Sequence, residues 1–100
     1  QDFYQGVTIT SPGFYAPQGR QVRLELANPN MVDQLAEMET PLGRVTNFEM
    51  ETAAYYALCQ MLGHNMLSLN TLIANRARKE FSRNHNSAVE RLIETVIERI

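Results

Sequence analysis

The sequence has one cysteine, no tryptophan, almost no excess of charge of one sign, and no long apolar run. Because Cys59 has no second cysteine to pair with, an internal disulfide is excluded, and we expect the protein to be cytoplasmic, in a reducing environment. Its position inside an apolar stretch predicts a small, buried side chain. No apolar run reaches the roughly 18 residues that a membrane-spanning helix requires, so no membrane span is predicted.

Charge and ligand chemistry exclude two further classes of function. The net charge is -2, and no basic stripe with interleaved aromatic residues is present, so no nucleic-acid partner is expected. Neither His64 nor His85 has a carboxylate or thiol at the spacing of metal ligands, and we assign both to surface or structural roles. A glycine-rich phosphate loop is also lacking. The sequence therefore predicts no metal ion and no cofactor.

Residues 1–100 are enough for one small domain, in which predicted strands alternate with predicted helices. The predicted strands are residues 7–10, 21–26 and 66–74, the second of them a half-buried strand or an extended arm. The predicted helices begin near residue 31, at residue 48 and at residue 87, and the second ends at Gly63. This alternation is typical of an α/β domain with helices covering a sheet.

The last predicted helix has a single apolar stripe. A capping box of Ser87 and Glu90 marks its start. Apolar residues then recur at helical spacing: Val89, Leu92, Ile93, Val96, Ile97 and Ile100. We expect this stripe to pack on a sheet. One alternative is a coiled-coil or membrane-surface helix. Another is a partner-binding stripe, which would make the chain a non-catalytic interaction module.

The loop after the first predicted strand carries groups that suit a heterocyclic base. Phe14 offers a flat face for stacking. Gln18 and Arg20 offer an amide and a forked guanidinium donor, the mixture that a heterocycle with adjacent carbonyl and N–H groups, such as uracil, requires. The alternative is an exposed loop with solvated side chains. Similarly, Arg76 after the third predicted strand could hold Gln18 in orientation, or could be a plain surface arginine.

Two carboxylates flank Met50 at the start of the predicted central helix. A carboxylate can accept hydrogen bonds from two hydroxyls at once, which suits a sugar. Glu49 and Glu51 are two residues apart and do not share a helix face, so we expect one to anchor backbone or a partner while the other meets a ligand. The alternative is that both stabilise the helix N-terminus through its dipole.

Taken together, these segments resemble the nucleoside phosphorylase family of the hexameric, bacterial type. Residues 47–52, Asn-Phe-Glu-Met-Glu-Thr, resemble its ribose-binding segment. Residues 14–20 are similar to the uracil-binding loop of uridine phosphorylases, with the pattern F-Y-x-x-Q-x-R, although Ala-Pro replaces the usual Pro-Gly. Residues 73–76 resemble the strand end that closes the base pocket. The resemblance implies a three-layer α/β/α fold with a mixed central sheet, of which residues 1–100 would be the C-terminal part.

The resemblance also implies the site residues. Gln18, Arg20 and Glu51 would take part in catalysis, the first two at the polar edge of uracil and the third at the ribose hydroxyls. The other implied substrate contacts are Phe14 on the uracil ring, Met50 and Glu49 at the sugar, Ile73 and Ala74 at the base pocket, and Arg76 behind Gln18. Purine-specific relatives have Ser-Asp where this chain has Asn75-Arg76, which favours a pyrimidine.

The implied reaction is the reversible phosphorolysis of uridine to uracil and ribose 1-phosphate in pyrimidine salvage, with phosphate as co-substrate. The family implies a homo-oligomer, with dimers assembled into hexamers, and phosphate-binding arginines in an N-terminal part. Alternatives within the superfamily are a purine nucleoside phosphorylase or a nucleosidase. The chain also opens on a strand that has no partner strand nearby, so we expect a C-terminal fragment that is inactive by itself.

Overall fold

A computed structural model describes residues 3–100, and these residues form two compact units. The first unit runs through Met66, and the second is Leu67–Ile100. Each unit combines helix and strand, which is the mixed α/β composition that the sequence predicts. Within residues 3–100, no helix is long and apolar enough to cross a membrane.

The first unit is built on a three-stranded mixed sheet. Its strands are β1 (Val7–Thr10), β2 (Glu39–Thr40) and β3 (Gly43–Glu49), in the spatial order β1-β3-β2. β3 pairs with β1 in parallel and with β2 in an antiparallel hairpin. The predicted strand over residues 7–10 and the mixed sheet are confirmed, whereas the three-layer arrangement stays a prediction.

Three helical segments complete the first unit. They are a short 3-10 turn at Ala16–Gln18, α1 (Met31–Glu37), which lies against β3, and α2 (Thr52–Leu62). α2 ends as predicted at Gly63, whose φ of 74° lies in the left-handed region that glycine adopts without strain. The N–H of Gly63 donates to the carbonyl oxygen of Gln60 at 3.2 Å, and this bond satisfies one of the last helical carbonyls.

The start of α2 differs from the prediction. A helix from Phe48 is wrong, because Phe48 and Glu49 are the last two residues of β3. They pair with Ile9 and Thr10 of β1. The reason is non-local: the neighbouring strand offers ladder hydrogen bonds and cross-strand contacts, which override the local apolar pattern that favours a helix. The helix therefore begins at Thr52.

Two other predicted strands are wrong. Residues 21–26 pair with no strand of the described chain, and Val22 and Leu24 are 68% and 84% exposed. Most of the predicted strand over residues 66–74 is irregular, and regular pairing begins only at Ala74. An apolar or alternating run forms a strand only where a neighbour completes its backbone hydrogen bonds, and within residues 3–100 no strand pairs with residues 21–26 or 66–72.

The second unit contains a short hairpin and the last helix. The hairpin strands are β4 (Ala74–Asn75) and β5 (Glu80–Phe81), which pair antiparallel. The helix is α3 (His85–Ile97), with Asn84 as its N-cap residue. The predicted helix is thus confirmed in kind, with an earlier start.

Two details of α3, its first turn and the exposure of its apolar stripe, differ from the prediction. Because the helix begins at His85, Ser87 lies inside its first turn and the capping box of Ser87 and Glu90 is wrong. The apolar stripe is present, but Val89 and Ile97 on it are exposed. Packing of this stripe on a sheet stays a prediction.

The buried residues of the described chain are polar rather than apolar. Ser11, Gln18 and Thr52 are 5%, 6% and 7% exposed, and no hydrophobic residue among residues 3–100 is as deeply buried. Cys59 is only half-buried, so the prediction of a buried cysteine is wrong; Leu62, one turn further along α2, is exposed as well. All three buried residues follow the carboxyl ends of β1 or β3 in the chain.

Candidate functional site

Two segments leave the same edge of the sheet, because β1 and β3 are parallel. β1 is followed by the loop of residues 11–20, and β3 by the connection Met50-Glu51 that leads into α2. The N–H of Ser11 donates to the carbonyl oxygen of Glu49 at 2.9 Å, which ties the two segments together where they begin. Ligands of α/β sheets bind at the carboxyl ends of strands, so this edge is the candidate site.

The loop of residues 11–20 is folded tightly on itself. The carbonyl oxygen of Tyr15 accepts from the N–H groups of Gln18 and Arg20 at 3.0 and 2.9 Å. Gly13 approaches Pro17 so closely that a Cβ at this glycine would lie 2.8 Å from the proline Cγ. These contacts leave the loop little conformational freedom, so it holds its side chains in a defined arrangement.

Among the three residues predicted to hold a base, Arg20 contacts both Phe14 and Gln18. Cζ of Arg20 lies 4.0 Å from the centroid of the Phe14 ring, a cation–π distance. Nη1 of Arg20 donates to the carbonyl oxygen of Phe14 at 2.6 Å and to Oε1 of Gln18 at 2.7 Å. The guanidinium therefore orients the ring and the buried amide, a role that the sequence analysis assigned to Arg76 for Gln18.

Glu49 is anchored to the protein by several donors. Its Oε1 accepts from the hydroxyl of Thr10, and its Oε2 accepts from the N–H groups of Glu51 and Thr52, both at 2.6 Å. Burial raises the pKa of the Glu49 carboxyl. The hydrogen bonds from the side chains of Thr10 and Thr52 and from the two N–H groups outweigh burial and lower the pKa from 4.5 to about 2. Glu49 is therefore ionised at neutral pH.

The same contacts satisfy the N-terminus of α2. The first N–H groups of a helix have no partner within it. Here the N–H of Thr52 donates to Glu49, and the N–H of Ala53 donates to Oγ1 of Thr10 at 3.0 Å. The N-cap residue Glu51 makes no side-chain capping hydrogen bond. Glu49 and Thr10 take over the capping, and the charge of Glu49 is favourable near the positive end of the helix dipole.

Met50 and Glu51 lie between these anchored residues and are more exposed. Met50 is 40% exposed, and Glu51 is also exposed. Oε2 of Glu51 accepts from the N–H of Met50 at 3.2 Å. The argument from helix faces was wrong, because neither glutamate lies within α2. The structure nevertheless shows the carboxylate of Glu49 bound to backbone N–H groups, and it leaves the carboxylate of Glu51 accessible to hydroxyl donors.

Ile73, Ala74 and Arg76 belong to the second unit, around its hairpin. Ile73 and Ala74 are exposed, and Arg76 is half-buried in the turn that joins β4 to β5. The N–H of Ser82 donates to the carbonyl oxygen of Ile73 at 2.8 Å and closes the hairpin. The predicted closing of the base pocket by these residues, with Arg76 behind Gln18, stays a prediction.

The candidate metal ligands in the described part of the chain do not form a cluster. No group of three or more His, Cys, Asp or Glu within residues 3–100 could hold a metal ion. His64 and His85 are exposed, and the His85 ring lies edge-on to Phe81 with 6.1 Å between centroids. The groups gathered at the sheet edge are instead an aromatic ring, an amide, a guanidinium and carboxylates.

Comparison with known proteins decides the family. The sequence profile of the phosphorylase superfamily matches residues 1–100. The chain belongs to the phosphorylase superfamily. It is also 35% identical over 85 residues to a curated uridine phosphorylase from Thermococcus kodakarensis, a match that covers 81% of this chain and 28% of the relative. The chain thus spans less than a third of the length of that relative. No solved structure matches it.

Sequence reasoning missed two residues of the site in this superfamily member. Thr10 is one of several β-branched residues in β1, and Thr52 stands at the start of an apolar helix. The available indication was that Thr10 ends a predicted strand, where site residues of α/β sheets gather. Its partner Glu49 is 39 residues away along the chain, so only the folded sheet brings the two together.

The depressed pKa of Glu49 predicts a pH dependence of stability. The carboxyl has a lower pKa in the folded state, about 2, than its ordinary value of 4.5, so ionised Glu49 stabilises the fold fully above about pH 4.5. This contribution is lost as the pH falls from 4.5 towards 2. We expect Glu49→Gln to lower the free energy of unfolding at pH 7 by about 0.5–2 kcal/mol, the range for a lost helix cap. The measurement is urea unfolding at several pH values.

The matched control for this experiment is Glu39→Gln, which changes an exposed glutamate on β2. We expect wild type and this control to lose stability between pH 4.5 and 3, while Glu49→Gln loses distinctly less over the same interval. Parallel pH profiles for all three proteins would contradict the assignment.

Proposed function

We propose that this chain forms the base- and ribose-binding part of a uridine phosphorylase. Such an enzyme catalyses the reversible phosphorolysis of uridine to uracil and ribose 1-phosphate, a step of pyrimidine salvage. The observation that carries the proposal is that the Phe14, Gln18 and Arg20 cluster and the accessible Glu51 follow two parallel strands at one edge of the sheet. Superfamily membership and the similarity to a curated uridine phosphorylase support it.

Glu51 acts on the ribose in this proposal. Breaking a glycosidic bond builds oxocarbenium-like positive charge on the sugar, and contacts to its 2-hydroxyl can strengthen in the transition state. The carboxylate of Glu51 accepts hydrogen bonds from the ribose hydroxyls, and Met50 packs against the sugar. Glu49 contributes through the backbone that it anchors.

Arg20 and Gln18 act on the base. The leaving uracil gains negative charge, which preorganised donors stabilise without having to reorganise during the reaction. Arg20 has five N–H donors, so its bonds to Phe14 and Gln18 leave donor capacity for the base. Phosphate is the nucleophile, so the reaction needs no nucleophilic side chain and no cofactor. The enzyme would be a pentosyltransferase.

The phosphate-binding residues are assigned in this proposal to a longer protein. Residues 1–100 would form only a part of it, since the match covers 28% of the relative. We further propose that this protein is a cytoplasmic homo-oligomer, a dimer or a hexamer, and that the residues around Asn75-Arg76 favour a pyrimidine over a purine.

The proposal is tested with the protein at its full natural length. We expect release of uracil from uridine that depends on phosphate, with little cleavage of inosine or methylthioadenosine. The measurement is product formation from each nucleoside, with and without phosphate. Phosphate-independent cleavage would identify a nucleosidase, and cleavage of adenosine-type substrates without uridine would contradict the roles of Gln18, Arg20 and Arg76. Calorimetry that detects no nucleoside binding would favour the interaction module.

A further inference from the structure

The hydroxyl of Thr10 lies where three elements of the first unit meet. It belongs to the last residue of β1, donates to Oε1 of Glu49 at the end of β3, and accepts from the N–H of Ala53 in α2 at 3.0 Å. A hydroxyl can donate and accept at the same time, which neither an apolar side chain nor a carboxylate can do. Thr10 therefore links an acceptor on one element to a donor on another.

This link fixes both ends of the connection between β3 and α2. Glu49 precedes the connection, and its carboxylate is held by Thr10 and by two N–H groups. Ala53 follows it, in the first turn of the helix, and is held by Thr10 as well. Met50 and Glu51 lie between these two points, so the direction of the Glu51 carboxylate depends on them.

Thr10 also links the connection between β3 and α2 to the loop of residues 11–20. Ser11 follows Thr10 directly, is 5% exposed, and donates its N–H to the carbonyl oxygen of Glu49 at 2.9 Å. The loop that carries Phe14 starts from this point. The hydrogen bonds of Thr10 and Ser11 therefore set the starting positions of the two segments that the proposed function assigns to base and ribose.

We infer that Thr10 is a positioning residue of the nucleoside site, whose hydroxyl joins the end of β1 to Glu49 and to the first turn of α2 and so orients Glu51 towards the ribose. The inference rests on the proposed role of Glu51 at the sugar and extends it to a residue that does not contact substrate. Because Glu51 must be aligned with the ribose hydroxyls as charge develops, misplacement reduces turnover more than ground-state binding.

Thr10→Val and Thr10→Ser test this inference in the full-length enzyme. Valine has nearly the same shape but neither donates nor accepts, whereas serine keeps the hydroxyl. We expect Thr10→Val to lower kcat about tenfold, the scale of one hydrogen bond to a charged group, with a smaller change in KM. Thr10→Ser is expected to stay within about twofold of wild type. The measurement is steady-state kinetics with uridine and saturating phosphate.

Thr8→Val is the matched control. Thr8 lies on β1 and donates to Oδ1 of Asn47 on β3 at 2.9 Å, so the substitution removes a cross-strand hydrogen bond of similar burial without touching Glu49. We expect this variant to keep the wild-type kcat. Equal losses in Thr8→Val and Thr10→Val would overturn the inference, since they would indicate a general weakening of the sheet. A wild-type kcat in Thr10→Val would overturn it as well.

A second variant keeps the test decisive if Thr10→Val does not fold. Glu49→Gln leaves β1 intact and removes the charged acceptor of the Thr10 hydroxyl, so we expect a loss of kcat of the same size, and an unchanged kcat would overturn the inference. If the enzyme cleaves another nucleoside and ignores uridine, the uridine assignment fails. The Thr10 comparison is then made with the nucleoside that is cleaved, because Thr10 acts on the ribose segment.

Discussion

Replacement of Glu51 by glutamine is expected to lower kcat for uridine phosphorolysis about 1000-fold in the full-length enzyme, the upper range for one electrostatic contact in a preorganised site. Glutamine has nearly the same shape but no charge. It can still accept one hydrogen bond from a ribose hydroxyl, so ground-state binding should weaken much less than turnover. The loss falls on kcat because the positive charge on the sugar exists only in the transition state.

The fold should survive this change. Glu51 is exposed, and Oε2 of its carboxylate accepts from the adjacent N–H of Met50, a local contact that an amide oxygen can keep. The matched control is Glu39→Gln, an exposed glutamate on the short strand β2 of the same unit. Steady-state kinetics and thermal unfolding of both variants check the prediction. If Glu51→Gln turned over as fast as the control, its role at the ribose would be wrong.

The two glutamates are also separable from each other by experiment. Glu49→Gln is expected to reduce stability and turnover together, because this carboxylate holds the start of α2 and the orientation of the connection. Glu51→Gln is expected to reduce turnover alone. The contrast follows from the contacts. Glu49 accepts hydrogen bonds from two backbone N–H groups at 2.6 Å, whereas the side chain of Glu51 makes no capping hydrogen bond to α2.

Local patterns predicted those parts of the fold that local chemistry decides. Val7–Thr10 is a strand because β-branched residues suit one. Gly63 ends α2 because only a residue without a Cβ adopts the left-handed φ of 74° without steric strain. The grouping of Phe14, Gln18 and Arg20 also follows from closeness in sequence, since a loop of ten residues with two prolines and two glycines folds back on itself.

The parts that sequence reasoning missed depend on distant neighbours. The apolar residues that follow Phe48 and Glu49 predict a helix start there, yet the pairing of β3 with β1 places both residues in a strand. Residues 21–26 alternate like a strand, yet no described strand pairs with them. Periodicity indicates which side of an element is apolar, but not what lies beside it. The role of Thr10 was missed for the same reason. Its acceptor Glu49 becomes its neighbour only through the register of β1 on β3, which pairs Thr10 with Glu49.

Replacement of Arg20 by lysine is expected to lower kcat/KM for uridine about 100-fold, which is within the range of rate losses caused by removing one preorganised donor group. Lysine keeps the positive charge, so the change isolates geometry. It lacks the planar fork that donates to the carbonyl oxygen of Phe14 and to Oε1 of Gln18, and it stacks less well on the ring 4.0 Å away. Uracil would then meet a misplaced amide, a mobile ring and a single point charge.

Arg23→Lys provides the matched control, because Arg23 is an exposed arginine three positions further along the same stretch. The measurements are kcat/KM for uridine and calorimetric titration with uracil. We expect Arg20→Lys to weaken both turnover and uracil binding, since the same donors hold the free base and stabilise the leaving group. The control should match wild type in both. If Arg20→Lys bound uracil as tightly as wild type, the guanidinium would not belong to the base site, and the cluster with Phe14 and Gln18 would serve only to fold the loop.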